Sequence, residues 1–96
     1  MPAYFWFDIR EIKDPNKMEE YRRGVRAVVE KFGGRYVVLG GPFQVVEGSY
    51  QPVFPVMLEF ASTEAARRWY DSEDYRDLKA LRLAATDGNA FLMAGA

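Results

Sequence analysis

The alternation of side chains in residues 3–11 predicts a β-strand with two different faces. One face is wholly apolar and consists of Phe5, Phe7 and Ile9. The other face mixes aromatic and charged side chains, namely Tyr4, Trp6, Asp8 and Arg10. Both faces of this strand therefore carry large rings, which is more apolar surface than a strand at an open edge needs.

A helical pattern follows the first strand. Asp14 is a favourable N-cap residue, and Pro15 is favoured at the first helical position. The apolar residues that follow fall within an arc of about 100° on a helical wheel. They are Met18, Tyr21, Val25, Val28, Val29 and Phe32. Gly33-Gly34 predicts the end of the helix, because glycine readily adopts the left-handed conformation of a C-cap.

Two further strands are predicted in the middle of the chain. Residues 35–39 are rich in β-branched residues, Gly40-Gly41-Pro42 interrupts them, and residues 43–47 are expected to continue the extended run. Residues 53–60 are apolar on both faces except for one glutamate, which is typical of a central strand covered on both sides. Pro55 fits poorly in a central strand and weakens the first half of this prediction.

The last third of the chain predicts two short helices and a strand. Ser62 caps the first helix, and Ser72 restarts a helix that runs to about Ala85. Residues 86–89 have the composition of a turn, and residues 90–94 are expected to form the last strand. The order is βαββαβ, which predicts an α+β, ferredoxin-like antiparallel sheet with helices on one face, forming a single domain over residues 1–96.

The high apolar content of the chain indicates an interface with a second molecule. Of the 96 residues, 49% are hydrophobic and 16% aromatic, more than one sheet with helices on one side should need. We therefore predict a homodimer through the uncovered sheet face. The net charge of −1 does not favour binding to nucleic acid, and no segment is suited to crossing a membrane. The N-terminal residues do not resemble a signal peptide, so a cytoplasmic protein is expected.

The chain lacks two residue types that often carry chemistry. It has no cysteine and no histidine. Disulfides, thiol nucleophiles, histidine general bases and sites built on thiolate or imidazole ligands are therefore excluded. Only oxygen ligands remain, so we expect no transition-metal site and no cofactor.

Several short segments resemble a known family. They are Gly33-Gly34-Arg35-Tyr36, Gly40-Gly41, Glu47-Gly48, Glu59-Phe60, Ser62 to Ala66, Trp69 to Ser72, Tyr75 and Arg82. Together they resemble the bacterial family catalogued as domain of unknown function 1330. The resemblance implies a dimeric α/β barrel, in which two ferredoxin-like sheets pack face to face. The family often has arginine where this chain has Leu39, so any anion-binding role of that arginine is lost here.

Arg82 is the leading candidate for a functional side chain. On the last helix it falls inside the apolar stripe marked by Tyr75 and Leu78, although polar positions were available elsewhere. A buried arginine needs carboxylate or carbonyl partners, and among the strand carboxylates Glu47 ranks first as the predicted partner. Alternatively, its stem packs while the charged head reaches the rim.

The other candidates have competing structural explanations. Gly40 and Gly41 would let a ligand approach the backbone, but a strand bulge is favoured. Trp69 and Tyr70 would stack on a ligand, but helix-to-sheet packing is favoured. Glu47 is a candidate base or ion-pair partner, and Tyr36 and Tyr75 are candidate hydroxyl donors in a pocket.

Two classes of function remain open at this stage. The first is a cofactor-independent enzyme or a binding protein for a small, partly apolar metabolite, held between the sheet and the helices. The second is a dimeric structural or regulatory module without chemistry. The sequence favours the first, because polar groups are placed within apolar faces at a cost in stability.

Overall fold

The computed structural model describes residues 1–96 and has the predicted α+β, ferredoxin-like order. The strands are β1 (Ala3–Ile12), β2 (Arg35–Leu39), β3 (Pro55–Phe60) and β4 (Thr86–Ala94). The helices are α1 (Pro15–Lys31), α2 (Thr63–Tyr70) and α3 (Glu73–Ala85). All neighbouring strands are antiparallel in the order β2-β3-β1-β4. The helices lie on one side of this sheet.

The predicted caps explain where the helices begin and end. The Asp14 carboxylate accepts the backbone N–H groups of Asn16 and Lys17, each at 3.1 Å. Ser62 and Ser72 cap α2 and α3 in the same way. Gly33 has a φ of +82° just beyond α1, as the C-cap prediction requires. None of the three helices combines the length and apolar character needed to span a bilayer.

The central strands meet the sequence prediction, with a shorter β3. It starts at Pro55 rather than residue 53, because proline is tolerated as the first residue of a strand, where its missing N–H is not needed. β3 lies between β1 and β2, as its apolar character on both faces predicted. The core between sheet and helices is built around Phe5, Phe60 and Trp69.

The predicted extension of β2 is wrong. The strand ends at Leu39, and Gly40 and Gly41 follow with φ values of +85° and +113°. Residues 43–47 then form no strand, because β2 is the edge of the sheet and no neighbouring strand is present to pair with them. The register irregularity in β2 falls between Tyr36 and Val38 instead of at the two glycines.

The predicted turn at residues 86–89 is also wrong. Thr86 follows α3 directly and begins β4, and its hydroxyl donates to the carbonyl of Arg82 at 2.7 Å. Gly88 pairs with Ile9, and a Cβ added there would lie 2.2 Å from the backbone oxygen of Asp8. The glycine is therefore needed for close strand approach, and its turn-like neighbours misled the composition argument.

Candidate functional site

A cavity of about 340 Å³ lies between α1 and the helix-facing side of the sheet. Its walls are mainly apolar side chains from β1, α1 and β3, including Phe7, Ile9, Met18, Val25, Val56 and Leu58. Leu39 and Phe54 also line it and remain 57% and 38% exposed, so they mark its mouth. The volume is in the range of small-molecule sites.

The polar lining of this cavity consists of hydrogen-bond donors. Its side chains are Tyr21, Tyr36, Arg22, Arg26 and Arg82. No carboxylate or carboxamide side chain belongs to the lining. A bound molecule would therefore meet positive charge and hydroxyl groups but no side chain that is a strong acceptor or a carboxylate base.

Arg82 is the buried arginine of this group. It comes from the last turn of α3 and is only 8% exposed. Its Nε donates to the Tyr75 hydroxyl at 3.3 Å, and its guanidinium carbon lies 5.1 Å from the centre of the Phe7 ring. Its Nη2 is buried and has no hydrogen-bond partner. The side chain lines the cavity, and the hydrogen bond to Tyr75 is the only one that its guanidinium makes in the protein.

The expected ion pair between Arg82 and Glu47 is absent. Glu47 is exposed on the segment between β2 and β3, and no carboxylate lies within ion-pair distance of Arg82. The prediction failed because it placed Glu47 on a strand of the sheet, whereas the chain leaves the sheet at Gly40. The alternative, in which the charged head reaches the rim, is also not what the structure has, since the guanidinium is buried.

The tyrosines around Arg82 keep their protons at neutral pH. Burial, helped by the neighbouring Tyr75, raises the pKa of Tyr21 well above its ordinary value. Burial likewise raises the pKa of Tyr75, and it raises that of Tyr36 to about 12. All three hydroxyl groups therefore keep a proton to donate, and none is a base under ordinary conditions.

Helix α1 carries two exposed arginines, Arg22 and Arg26, beside the cavity. Arg22 lies 3.7 Å from Glu19, and the Arg26 guanidinium carbon lies 4.9 Å from the centre of the Tyr36 ring. Both also line the cavity. Sequence reasoning missed this role, although their spacing of four residues, one turn apart beside Tyr21 and Val25, is the signal that identifies it.

A buried carboxylate holds one wall of the cavity from the opposite side of the sheet. Asp8 has no exposed surface and accepts the backbone N–H groups of Val53 and Phe54, each at 2.9 Å. It also accepts from the Tyr50 hydroxyl and pairs with Arg10 at 2.6 Å. Burial alone would raise the pKa of Asp8, but these hydrogen bonds outweigh it and lower the pKa below its usual value.

The remaining candidate residues lie outside the cavity lining. Trp69 is fully buried in the core, 4.2 Å between ring centres from Tyr75, and its indole N–H has no partner. Tyr70 is half-buried on α2, with the Lys79 ammonium 4.2 Å from its ring centre. Gly40 packs against Phe54 at the mouth, whereas Gly41 adjoins Phe43. Of the sequence-predicted set, the structure brings together Arg82, Tyr36 and Tyr75.

Glu59 forms an ordinary ion pair beside the sheet edge. It lies 2.6 Å from Arg35 and accepts from the Tyr4 hydroxyl at 3.1 Å. The structure contains no group of three or more acidic side chains that could hold a metal ion.

These observations describe a small ferredoxin-like domain with a donor-lined cavity, and the family comparison agrees. Residues 2–96 match the family described as domain of unknown function (DUF1330). The chain belongs to this family. No curated protein matches it.

Solved structures with the same fold extend the comparison. The RPA0582 protein of unknown function from Rhodopseudomonas palustris is 20% identical, with a TM-score of 0.75 over 99% of this chain and 82% of that one. SnoaB, a cofactor-independent oxygenase from Streptomyces nogalater, is 13% identical, with a TM-score of 0.63 over 99% and 91%. A dimeric ferredoxin-like protein of unknown function from Jannaschia sp. CCS1 is 11% identical, with a TM-score of 0.65 over 99% and 100%. At these identities the likeness establishes the fold.

Proposed function

We propose that this DUF1330 protein binds a small, partly apolar metabolite in the cavity between α1 and the sheet. The single observation that carries the proposal is the buried Arg82 guanidinium beside this cavity, whose Nη2 has no partner in the protein. An unsatisfied charged donor costs stability, and a ligand that completes its hydrogen bonding would recover that cost. The largely apolar walls suit the rest of such a molecule.

Any catalysis in this cavity would rest on electrophilic assistance. Protonated tyrosines and arginines stabilise negative charge that develops on a substrate oxygen. The lining offers no carboxylate to remove a proton, so a reaction here would start from a substrate that ionises easily by itself. SnoaB is a cofactor-independent oxygenase with the same fold, which supports only the statement that this fold accommodates chemistry without a cofactor.

A thermal-shift screen with aromatic and lactone-like metabolites tests the binding proposal. A ligand at one hundred times its Kd adds ~2.7 kcal/mol, which raises the Tm of a domain this small by roughly 10 °C or more. Leu39→Trp should block the mouth and abolish the shift. Leu83→Trp is the matched control, because Leu83 is also 57% exposed but lies outside the lining.

The result that would overturn the proposal is equally plain. Either no compound raises the Tm of the wild-type protein, or every compound that does so acts equally on Leu39→Trp. Retained shifts in Leu39→Trp would mean that the ligands bind elsewhere on the molecule.

We also propose that the functional unit is a homodimer formed through the uncovered sheet face. The molecule is a slab of 37 × 37 × 17 Å whose helices cover one broad side. On the other side Trp6 packs on Phe91 at 5.1 Å between ring centres, while Phe91 and Met93 remain 43% and 48% exposed. The accessible surface of 6072 Å² exceeds the ~5,600 Å² expected for a monomer of this mass.

The segment between β2 and β3 carries further exposed apolar side chains, and its Tyr50 lies 6.3 Å from Trp6 between ring centres. Its exposed large side chains include Phe43, Val45, Val46, Tyr50 and Val53. The Jannaschia protein of the same fold is described as dimeric, which supports the proposal by analogy. A dimer that serves only a structural or regulatory role is the second candidate function, and this exposed face is the observation that favours it.

A further inference from the structure

The guanidinium of Arg82 is a buried charge without a counter-charge. The residue is 8% exposed, its Nε donates a hydrogen bond to the Tyr75 hydroxyl, and its Nη2 has no hydrogen-bond partner. Guanidinium does not lose its proton in proteins, so the positive charge cannot be removed by titration. The Phe7 ring face, 5.1 Å away, is the compensation that the protein itself provides. An anion is what this position lacks.

The direction of the hydrogen bonds around Arg82 follows from the chemistry of arginine and from the exposure of the two tyrosines. Arginine only donates, so the oxygen of Tyr75 accepts from Arg82 Nε. The proton of Tyr75 then goes to the Tyr21 oxygen, 2.8 Å away. The opposite direction would leave the proton of Tyr75, a residue with no exposed surface, without an acceptor. The proton of Tyr21 consequently has no acceptor in the protein, and this residue lines the cavity.

Two buried side chains of the lining therefore carry donors that have no acceptor in the protein, namely the Arg82 guanidinium and the Tyr21 hydroxyl. We propose that they bind the carboxylate of an otherwise apolar ligand, which enters with its acidic end inward. The inference deepens the proposed function and rests on it. The orientation follows from exposure, since Arg82 is buried whereas Leu39 and Phe54 at the mouth are partly exposed. Arg22 and Arg26 add positive charge that draws an anion towards the mouth.

Matched pairs of acids and amides test this inference without knowledge of the natural ligand. The probes are 2-naphthoate with 2-naphthamide and phenylacetate with phenylacetamide, titrated into the full chain by calorimetry at constant ionic strength. Charged hydrogen bonds predict that the acid of each pair binds about tenfold to a hundredfold more tightly than its amide. The preference should persist in Arg68→Met, which changes an exposed arginine that has no ion pair.

Substitutions at the two donors should change the preference in different ways. Arg82→Met should abolish it while leaving the affinity for the amides within about twofold, because the apolar walls are unchanged. Tyr21→Phe should reduce it by a few fold, since one of two donors is lost. Arg82→Lys should keep a weaker preference, because lysine retains the charge but not the planar fork.

The outcomes separate this inference from the proposed function. Amides that bind as tightly as their acids would overturn the carboxylate inference and leave the cavity proposal standing. An undiminished preference in Arg82→Met would overturn the inference in the same way. Failure of all four probes to bind the wild-type protein at millimolar concentration would count against both. The comparison of acid with amide in the wild-type protein needs no variant, so it holds even if a substituted chain fails to fold.

Discussion

Arg82 Nε donates a hydrogen bond of 3.3 Å to the hydroxyl oxygen of Tyr75, and this neutral oxygen is the only protein acceptor for the guanidinium. Two side chains of the same helix, seven residues apart, thus place a positive charge beneath β1 without a carboxylate nearby. A buried charge without a counter-charge lowers the free energy of unfolding of the ligand-free protein. A ligand that supplies the missing partner would explain why the arginine is present.

Replacement of this arginine should stabilise the ligand-free protein. Arg82→Met removes a buried, unpaired charge and keeps a side chain of similar length, so we expect the free energy of unfolding to rise by about 1–2 kcal/mol. Urea denaturation measures the change. Arg68→Met serves as the control and should lie within ~0.5 kcal/mol of wild type. A loss of stability in Arg82→Met would show that the guanidinium contributes to the fold itself.

Loss of the Tyr75 hydroxyl should lower the free energy of unfolding, whereas loss of the Arg82 charge should raise it. Tyr75→Phe leaves Arg82 Nε without an acceptor and removes the donor to Tyr21, and we expect a destabilisation of about 1–3 kcal/mol. Tyr21→Phe breaks one of these bonds rather than two, so it should cost less. Denaturation of the two variants side by side tests the ranking. Equal losses would contradict the two-bond role that we assign to the Tyr75 hydroxyl.

Asp8 should give the protein a characteristic acid sensitivity. Its pKa in the folded protein lies below the ordinary value of about 3.9 that applies in the unfolded chain. The carboxylate therefore stabilises the fold at pH values above 3.9, and this contribution is lost as the pH falls through the lower folded value. Unfolding free energies measured between pH 7 and pH 2 should show this loss below about pH 4.

Substitution of Asp8 isolates its part of that profile. Asp8→Asn should cost about 1–3 kcal/mol at pH 7, because four donors share the carboxylate, and should lack this part of the acid-dependent loss. Asp77→Asn, at a side chain 89% exposed, is the control. Since Asp8 holds Phe54, which lines the cavity, ligand affinity should also fall in Asp8→Asn. An unchanged acid profile would exclude Asp8 as the group responsible.

The dimer proposal predicts a mass of about twice 11.0 kDa in solution. Size-exclusion chromatography with light scattering at micromolar concentration measures it. Trp6→Asp places a charge among Phe91 and Tyr50 on the uncovered face and should shift the protein towards monomer. Arg23→Asp, at a side chain 76% exposed on α1, should not. A wild-type protein that elutes as an 11 kDa monomer would contradict the proposal.

The sequence predicted most of the fold because its signals are local. The Asp14, Ser62 and Ser72 caps and the Gly33 C-cap act within one helical turn, and each lies where the pattern placed it. The strand predicted for residues 43–47 and the turn predicted for residues 86–89 were wrong, because both depend on contacts with distant parts of the chain. Residues 43–47 would form a strand only beside another strand, and none is present at that edge of the sheet. Residues 86–89 form a strand instead of a turn because they pair with β1.

The candidate site was predictable only in part. Helical periodicity placed Arg82 on a buried stripe, because that depends on its own helix. Its partners depend on how α3 packs on α1 and the sheet, and no pattern in the chain indicates that Tyr21 and Tyr75 meet at 2.8 Å. The burial of Asp8 was hidden for the same reason. It follows from the path of residues 50–54, which Asp8 itself fixes by hydrogen bonds.

A crystal structure of the protein with bound 2-naphthoate tests the central claim most directly. The account predicts the naphthyl ring in the cavity between α1 and the sheet, with a carboxylate oxygen about 2.7–2.9 Å from a terminal nitrogen of the Arg82 guanidinium and within hydrogen-bond distance of the Tyr21 hydroxyl. A ligand bound on the uncovered sheet face, or in the cavity with its carboxylate pointing out past Leu39, would contradict it.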